Sequence, residues 1–186
     1  MENNNQLNPE KWVDLYADPL YVYTYTRVQD RGIAEDLVQE SFLSAWKAKD
    51  SYRGDASEKN WLYQICKNKI IDHYRSKQKN IADLKDLTEN DYFDQVDHWT
   101  EQTKPSVWNV DYEQPIVQKE FYQVLDLCKQ KLKELQQQVF VLKYQEELDT
   151  NKICEVLDIS QANYWVLIHR AKLQLRACLE KNWINL

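Results

Sequence analysis

Residues 34–75, AEDLVQESFLSAWKAKDSYRGDASEKNWLYQICKNKIIDHYR, decide the fold. The stretch holds two helical patterns around a polar turn. In the first, Ala34, Leu37, Val38, Ser41, Phe42 and Ala45 recur at i, i+3, i+4 spacing, which predicts one buried face. Asp36, Gln39 and Glu40 fall outside that stripe. In the second, Trp61, Leu62, Ile65 and Cys66 continue to Lys69, Ile70 and Tyr74 at the same spacing, while Lys59, Lys67 and Arg75 give that helix a basic character. Gly54, Asp55 and Ser57 between them mark a turn and short loop over 50–60. Taken alone, each charge run reads as an ordinary solvated helix face.

Working outward, Asn8-Pro9-Glu10-Lys11 reads as a helix start, with Asn8 as cap and Pro9 in the first turn, where its missing N–H costs nothing. Asp18-Pro19 repeats that signal. The helix after it carries Leu20, Tyr23, Tyr25 and Arg27, with Gly32 as its C-terminal stop. Its tyrosines read as packing residues rather than a base-stacking platform. The next helix is expected over 33–49. Residues 76–115 are highly charged, poor in apolar residues and without sustained period, so they read as a linker, with Trp99, Val107 and Trp108 as local anchors. Helical periodicity returns over 116–144 through Val117, Phe121, Val124, Leu125, Leu132, Leu135, Val139, Phe140 and Leu142. The following DTNKICEVLDISQANYWVLIHRAK has the pattern of a helix-turn-helix. Thr150 is the expected cap of its first helix, with Ile153, Cys154, Val156 and Leu157 inward. Asp158-Ile159-Ser160 makes the turn, Asp158 tolerating a left-handed backbone. Ser160 caps the recognition helix Gln161–Leu179, and Arg176 and Lys181 suit the dipole at its end.

With 186 residues, only 2 glycines and 4 prolines, the chain has room for one or two small domains and few helix breakers. The fold class is therefore all-α: two small helical domains joined by an acidic linker, the C-terminal one with a helix-turn-helix. The formal net charge is −6. Between residues 80 and 115 nine acids face two bases, so that segment carries −7 and the remainder +1. A near-neutral remainder hides a basic patch over 59–79. Cys66, Cys128, Cys154 and Cys178 form no C-x-x-C pair and read as reduced thiols, which implies a reducing cytosol. The polar start MENNNQLNPEK has no signal-peptide core, and no apolar run approaches the ~20 residues of a membrane span. A cytoplasmic protein is expected.

AEDLVQESFLSAWK, DSYRG and WLYQICKNKIIDHYR together resemble region two of the bacterial RNA polymerase sigma factors, of the extracytoplasmic-function (ECF) type. LKELQQQVFVLKY and the helix-turn-helix pattern resemble region four of the same family. The two blocks cover roughly two thirds of the chain. The resemblance implies a transcription initiation factor that is not an enzyme and needs no cofactor or metal. Its domains would be 1–78, binding core polymerase and the −10 element; 79–115, an acidic flexible linker threading the polymerase cleft; and 116–186, binding the −35 element. Asp36, Gln39 and Glu40 match the family's contacts to the clamp helices of the largest polymerase subunit, where short acidic and amide side chains pair with arginines; the flap region is the expected partner of the second half. Double-stranded and melted promoter DNA are the other partners, with no small-molecule substrate. Family members are often held by an anti-sigma factor, though nothing in this sequence identifies one.

The resemblance also implies that the loop and helix after residue 50 open the −10 element around a flipped base. Tyr52 and Trp61 offer stacking faces, Arg53 and Lys59 phosphate contacts, and Asn60 a donor and acceptor for a base edge. Stacking is worth roughly 1–3 kcal/mol per base, comparable with the cost of unstacking one. Trp61 suits a core position equally. Asn68, Asp72 and Arg75 match the helix facing upstream duplex, Asp72 either touching DNA or orienting Arg75 or Lys69. At the −35 element the expected contacts are Gln161, Asn163, Tyr164, Trp165, His169, Arg170 and Lys172. One departure stands out. ECF proteins commonly carry basic–Ser–basic where this chain has Trp165-Val166-Leu167, so Tyr164 and Trp165 either meet a thymine methyl or sugar, pack in the core, or face an inhibitory partner.

Two other readings fit parts of the chain. One is a helix-turn-helix regulator that does not bind core polymerase, which makes the 34–75 resemblance coincidental. The other is a metal-dependent phosphodiesterase with Asp36, Glu40 and Asp72 as ligands, against which stand the lack of an HD pair, of a DExxE-like repeat and of a Gly-rich phosphate loop, and the scarcity of histidine, 3 in the chain.

Overall fold

The computed structural model describes residues 7–78 and 114–184, and every regular element among them is helical. A 3-10 turn, Pro9–Lys11, leads into α1 (Trp12–Val28), followed by α2 (Arg31–Ala48), a second 3-10 turn (Lys49–Ser51) and α3 (Glu58–Gln78). The second half holds α4 (Pro115–Lys129), α5 (Glu134–Tyr144), α6 (Thr150–Leu157) and α7 (Gln161–Leu179), ending in a π turn, Glu180–Ile184. The acidic linker expected over 79–115, with Trp99, Val107 and Trp108, lies outside the described residues apart from Gln114 and Pro115, the cap and first residue of α4.

Several boundaries differ from the sequence reading, each for a local reason. Pro19 does not start a helix; α1 runs through it. The hydrogen bond that Pro19 cannot donate is lost to the carbonyl of Leu15, an exposed residue whose backbone water can serve. Gly32 is not a stop either. α1 ends at Gln29, which takes the left-handed conformation at φ 59°, and Asp30 then caps α2 by accepting from the Ile33 N–H at 3.0 Å. Asn8 makes no side-chain cap; its N–H donates instead to Glu58 at 2.5 Å. In the helix-turn-helix the cap of α6 is Asp149, accepting from the Lys152 N–H at 2.9 Å, rather than Thr150. Asp158 is left-handed at φ 49° and Ser160 caps α7 through the Asn163 N–H at 3.2 Å, both as the sequence predicts.

The stripe of α2 is buried as its spacing requires: Ala34, Leu37, Val38, Ser41 and Ala45 face inward, with Phe42 at the margin. It packs against Leu20 of α1 and Leu62, Cys66, Ile70 and Tyr74 of α3. Each fully buried leucine contributes roughly 1.5–3 kcal/mol. The same buried cluster continues into the second half through Leu142, Ile153, Leu157 and Ile168, so the two halves share one apolar core. A smaller cluster joins α4 to α7 through Cys128, Leu132, Ala171, Leu175 and Leu179. There the expectation of four reduced thiols fails. Cys128 and Cys178, with Cα atoms 5.8 Å apart, form a disulfide, and only Cys66 and Cys154 are free thiols. The pair is 50 residues apart in sequence and met only because α4 packs on the end of α7. The argument from cysteine usage to a reducing compartment thus loses two of its four residues.

Candidate nucleic-acid interface

Three exposed faces carry the residues singled out in the sequence. The first is on α2, where Asp36, Gln39 and Glu40 all point to solvent. Glu40 lies 3.4 Å from Lys69 of α3, so one acid of this face is tied to the neighbouring helix. Beside it, Leu43 and Trp46 are also exposed, with the Lys49 ammonium 3.7 Å from the Trp46 ring centroid. The sequence reading passed over these two apolar neighbours, although an exposed Leu–Trp pair flanking a charged stripe is a signal for a partner surface.

The second face begins at the loop after α2. Tyr52 extends toward α3, its ring centroid 5.1 Å from that of Trp61, and its hydroxyl donates to the Ala56 carbonyl. Trp61 in turn lies 6.0 Å from the buried Trp12. It is half-buried, with one side in the packing and the other toward Tyr52, so the two sequence readings of Trp61 are compatible. Gly54 allows the loop its turn at φ 78°. Arg53 and Lys59 are exposed, the Lys59 ammonium 5.8 Å from the Tyr63 ring. From Asn60 one exposed edge of α3 runs through Gln64 and Asn68 to Asp72 and Arg75, at spacings that put these residues on one side of a helix. Gln64 donates to the Asn68 side-chain carbonyl at 3.3 Å, and Arg75 donates to Asp72 at 3.0 Å. Asp72 therefore orients Arg75.

The N-terminus of α3 is fixed by a residue that sequence reasoning missed. Glu58 accepts from the Asn8 N–H, from Trp12 Nε1 at 2.7 Å and from the Tyr16 hydroxyl at 3.1 Å. Burial, and then the hydrogen bond and charge of Glu58, hold the Tyr16 phenol above its ordinary value. In a first turn Glu58 reads as a dipole partner; nothing in its neighbours reveals the three donors.

The third face is the start of α7. Gln161, Trp165, His169 and Lys172 are exposed and lie on one side of the helix. Gln161 donates to Asn151 of α6 at 2.7 Å, bracing the turn, and the Lys172 ammonium sits 5.5 Å from the Tyr144 ring. Asn163 and Arg170 are half-buried. Tyr164, expected among the DNA contacts, is instead 1% exposed and belongs to the core, its ring 5.0 Å from that of Trp165. Trp165 is 60% exposed. Neighbouring residues on a helix are about 100° apart, so Tyr164 can face the core while Trp165 faces outward.

Among the described residues no group of three or more His, Cys, Asp or Glu side chains is placed to hold a metal ion. No described helix is long and apolar enough to cross a membrane.

The family model described as Sigma-70 region 2 matches residues 12–80, and that described as Sigma-70, region 4 matches residues 122–175. A probable RNA polymerase sigma factor of Haemophilus influenzae is 33% identical over 165 residues, covering 87% of this chain and 84% of that one. The ECF RNA polymerase sigma factor SigW of Bacillus subtilis is 30% identical over 170 residues, covering 88% of this chain and 84% of its own. SigM of the same organism is 26% identical over 163 residues, covering 88% and 90%.

Proposed function

The chain belongs to the sigma-70 family of RNA polymerase sigma factors, of the ECF type, and from that premise we propose how its faces divide the work of initiation. Sigma factors are transcription initiation factors rather than enzymes, so these faces bind and position. The exposed acidic and amide face of α2, Asp36, Gln39 and Glu40, docks on the clamp helices of the largest polymerase subunit, with Leu43 and Trp46 extending the contact. The Tyr52–Trp61 pair and the edge of α3 from Asn60 through Asn68 to Arg75, with Arg53 and Lys59, engage the −10 element as it melts. The start of α7, through Gln161, Trp165, His169, Arg170 and Lys172, reads the −35 element, while the second half also meets the flap region. The protein works in the cytoplasm, where the polymerase is, and an anti-sigma factor is a further partner in keeping with the family.

The observation that carries this reading is the α3 edge. One exposed row holds amide and guanidinium groups suited to bases and phosphates, and it begins beside two aromatic faces suited to an unstacked base. Run-off transcription tests it. Core polymerase from the source bacterium, given fragmented genomic DNA, should start at new sites only when this protein is added, and those sites should share a two-part upstream sequence. No new starts, with no co-purification with core polymerase, would overturn the reading. For the docking face, Gln39→Ala with Glu40→Ala should lower core affinity about tenfold, a loss of ~1.4 kcal/mol. Fold stability should fall by less than about 1 kcal/mol, because the Glu40–Lys69 pair is exposed. Unchanged binding by the folded double variant would remove α2 from the proposal.

A further inference from the structure

Glu58 opens α3, yet its carboxylate is bonded to α1 and the turn before it rather than to its own helix. The cap of α3 is already filled by Ser57, whose hydroxyl accepts from the Asn60 N–H at 3.3 Å. Cohesion between α1 and α3 is supplied further along the two helices, by the fully buried Leu20, Leu62 and Cys66 and by the Thr24–Cys66 contact at 3.1 Å. Of the three donors that Glu58 accepts from, one leads to the −10 face: the Trp12 indole N–H, at 2.7 Å. Trp12 is 2% exposed and packs behind Trp61, the two ring planes inclined at 59°. Trp61 in turn meets Tyr52 at an inclination of 55°, and the Tyr52 hydroxyl closes the far end by donating to the Ala56 carbonyl. A carboxylate thus holds one end of a run of three rings, Trp12, Trp61 and Tyr52.

An acid in this place calls for a reason. A carboxylate beside a surface that meets phosphates repels them, and its neighbours in that stretch, Arg53 and Lys59, carry the opposite sign. Three donors and the positive end of α3 offset the charge and fix where it sits. What it gains is orientation. Holding a base out of a duplex is a near-balance between stacking gained on an aromatic face and stacking lost in the DNA. Near balance, a face that is already oriented favours the open state, and one that must be ordered at each encounter does not.

We propose that Glu58 is the positioning residue of the promoter-opening face: by holding the Trp12 indole it fixes the tilt of Trp61, and through it Tyr52, in the orientation that receives an unstacked base. This deepens the sigma-factor reading of the Tyr52–Trp61 pair and rests on it. Glu58 does not touch the base; it acts through Trp12.

The test uses holoenzyme assembled from core polymerase and the full-length protein, on a promoter found by run-off transcription. Its −10 element carries 2-aminopurine, a base analogue that brightens on unstacking. Glu58→Ala should slow the fluorescence rise at saturating holoenzyme about tenfold, the rate equivalent of one hydrogen bond. The half-saturating concentration should stay within about twofold of native. Glu58→Gln keeps the shape and an acceptor for Trp12, and should restore the rate to within about threefold. Trp12→Phe keeps an aromatic ring and removes the donor. It should slow opening as Glu58→Ala does, and adding Glu58→Ala to it should cost less than about twofold more. With all variants compared at equal helical content and below their melting temperatures, a residue that served only stability would produce neither the split between rate and affinity nor the non-additivity. A folded Glu58→Ala variant opening at the native rate, a Glu58→Gln variant as slow as Glu58→Ala, or fully additive losses with Trp12→Phe overturns the proposal. Should Glu58→Ala fail to fold, Trp12→Phe decides alone: slow opening at native half-saturation supports the proposal and a native opening rate overturns it. If the native holoenzyme gives no rise, the reading of the Tyr52–Trp61 face falls and this proposal with it, whereas a normal rise from native and Glu58→Ala protein alike removes only the role of Glu58.

Discussion

Tyr164 and Trp165 are adjacent aromatics on one helix, and the structure separates their roles completely. Tyr164 is part of the core, so Tyr164→Ala should cost about 3–5 kcal/mol and lower the melting temperature by roughly 10 °C or more. Trp165→Ala should change stability by less than about 1 kcal/mol yet weaken promoter binding, measured by titrating a −35 fragment against the holoenzyme. A Trp165 variant as unstable as the Tyr164 one would show that both rings pack inward. His73 gives a pH signature at the same scale. Burial, and then the charge of Lys77, hold its imidazole below the ordinary 6.5, with Glu134, Asp30 and Glu40 pulling the other way. Between the folded value and 6.5 the unfolded chain therefore binds more protons than the folded one. Stability should fall as the pH drops through 6.5 and level off, for this group, below the folded value. His73→Gln should remove that part of the slope in urea titrations at pH 7.5 and 5.5; an identical acid slope in the variant would assign it to other groups.

The elements themselves were largely legible, and the reason is periodicity. Buried residues of α2 and α3 recur every three or four positions in sequence, and α7 announces its own start with a serine cap after a left-handed aspartate. What misled was punctuation. Pro19 and Gly32 are strong local breakers, but neither is decisive when packing outvotes it. Pro19 sits on a helix whose exposed side water can serve. The Cβ of a substituent at Gly32 would meet nothing nearer than Asp30 Oδ1 at 3.6 Å, so glycine is not required there. The disulfide between α4 and α7 was illegible for another reason: its two cysteines lie on separate helices and carry no mutual spacing signal. It closes a loop of 50 residues, for which restricting the unfolded chain stabilises by about 2–4 kcal/mol. Cys178→Ser, or reduction of the native protein, should therefore lower the melting temperature by about 5–10 °C while leaving the Leu132–Ala171–Leu175 packing in place. An unchanged melting temperature on reduction would mean that the link adds nothing to what that packing already supplies.

At the scale of the whole molecule, the least legible feature was the meeting of the two halves. Glu146 lies in the run Gln145-Glu146-Glu147, which reads as solvated turn, and its partners are 79 to 123 residues away in sequence. No period or motif encodes such a contact; the tertiary packing that sets the turn after α5 against α1 and α3 brings it about. Charge, by contrast, was readable as a distribution. A chain with net charge −6 would bind DNA poorly if its charges were spread evenly. Here the net negative charge is concentrated between residues 80 and 115, and the cations assigned to promoter contact, Arg53, Lys59, Arg75, Arg170 and Lys172, lie on the loop before α3, on α3 and on α7. If each meets one phosphate, this chain contributes a slope of about −4 to −5 in log K against log salt. Raising salt from about 50 to about 200 mM then weakens its share of promoter binding by several hundredfold. Arg170→Ala should reduce the measured slope by about one unit and cost more affinity at low salt than at high, whatever the promoter sequence. The measurement is a salt series of promoter titrations with holoenzyme carrying the native or variant protein, so that the polymerase contribution cancels. A loss that is the same at every salt concentration would instead make Arg170 a reader of a base edge, and its cost should then vary with the base pair it faces.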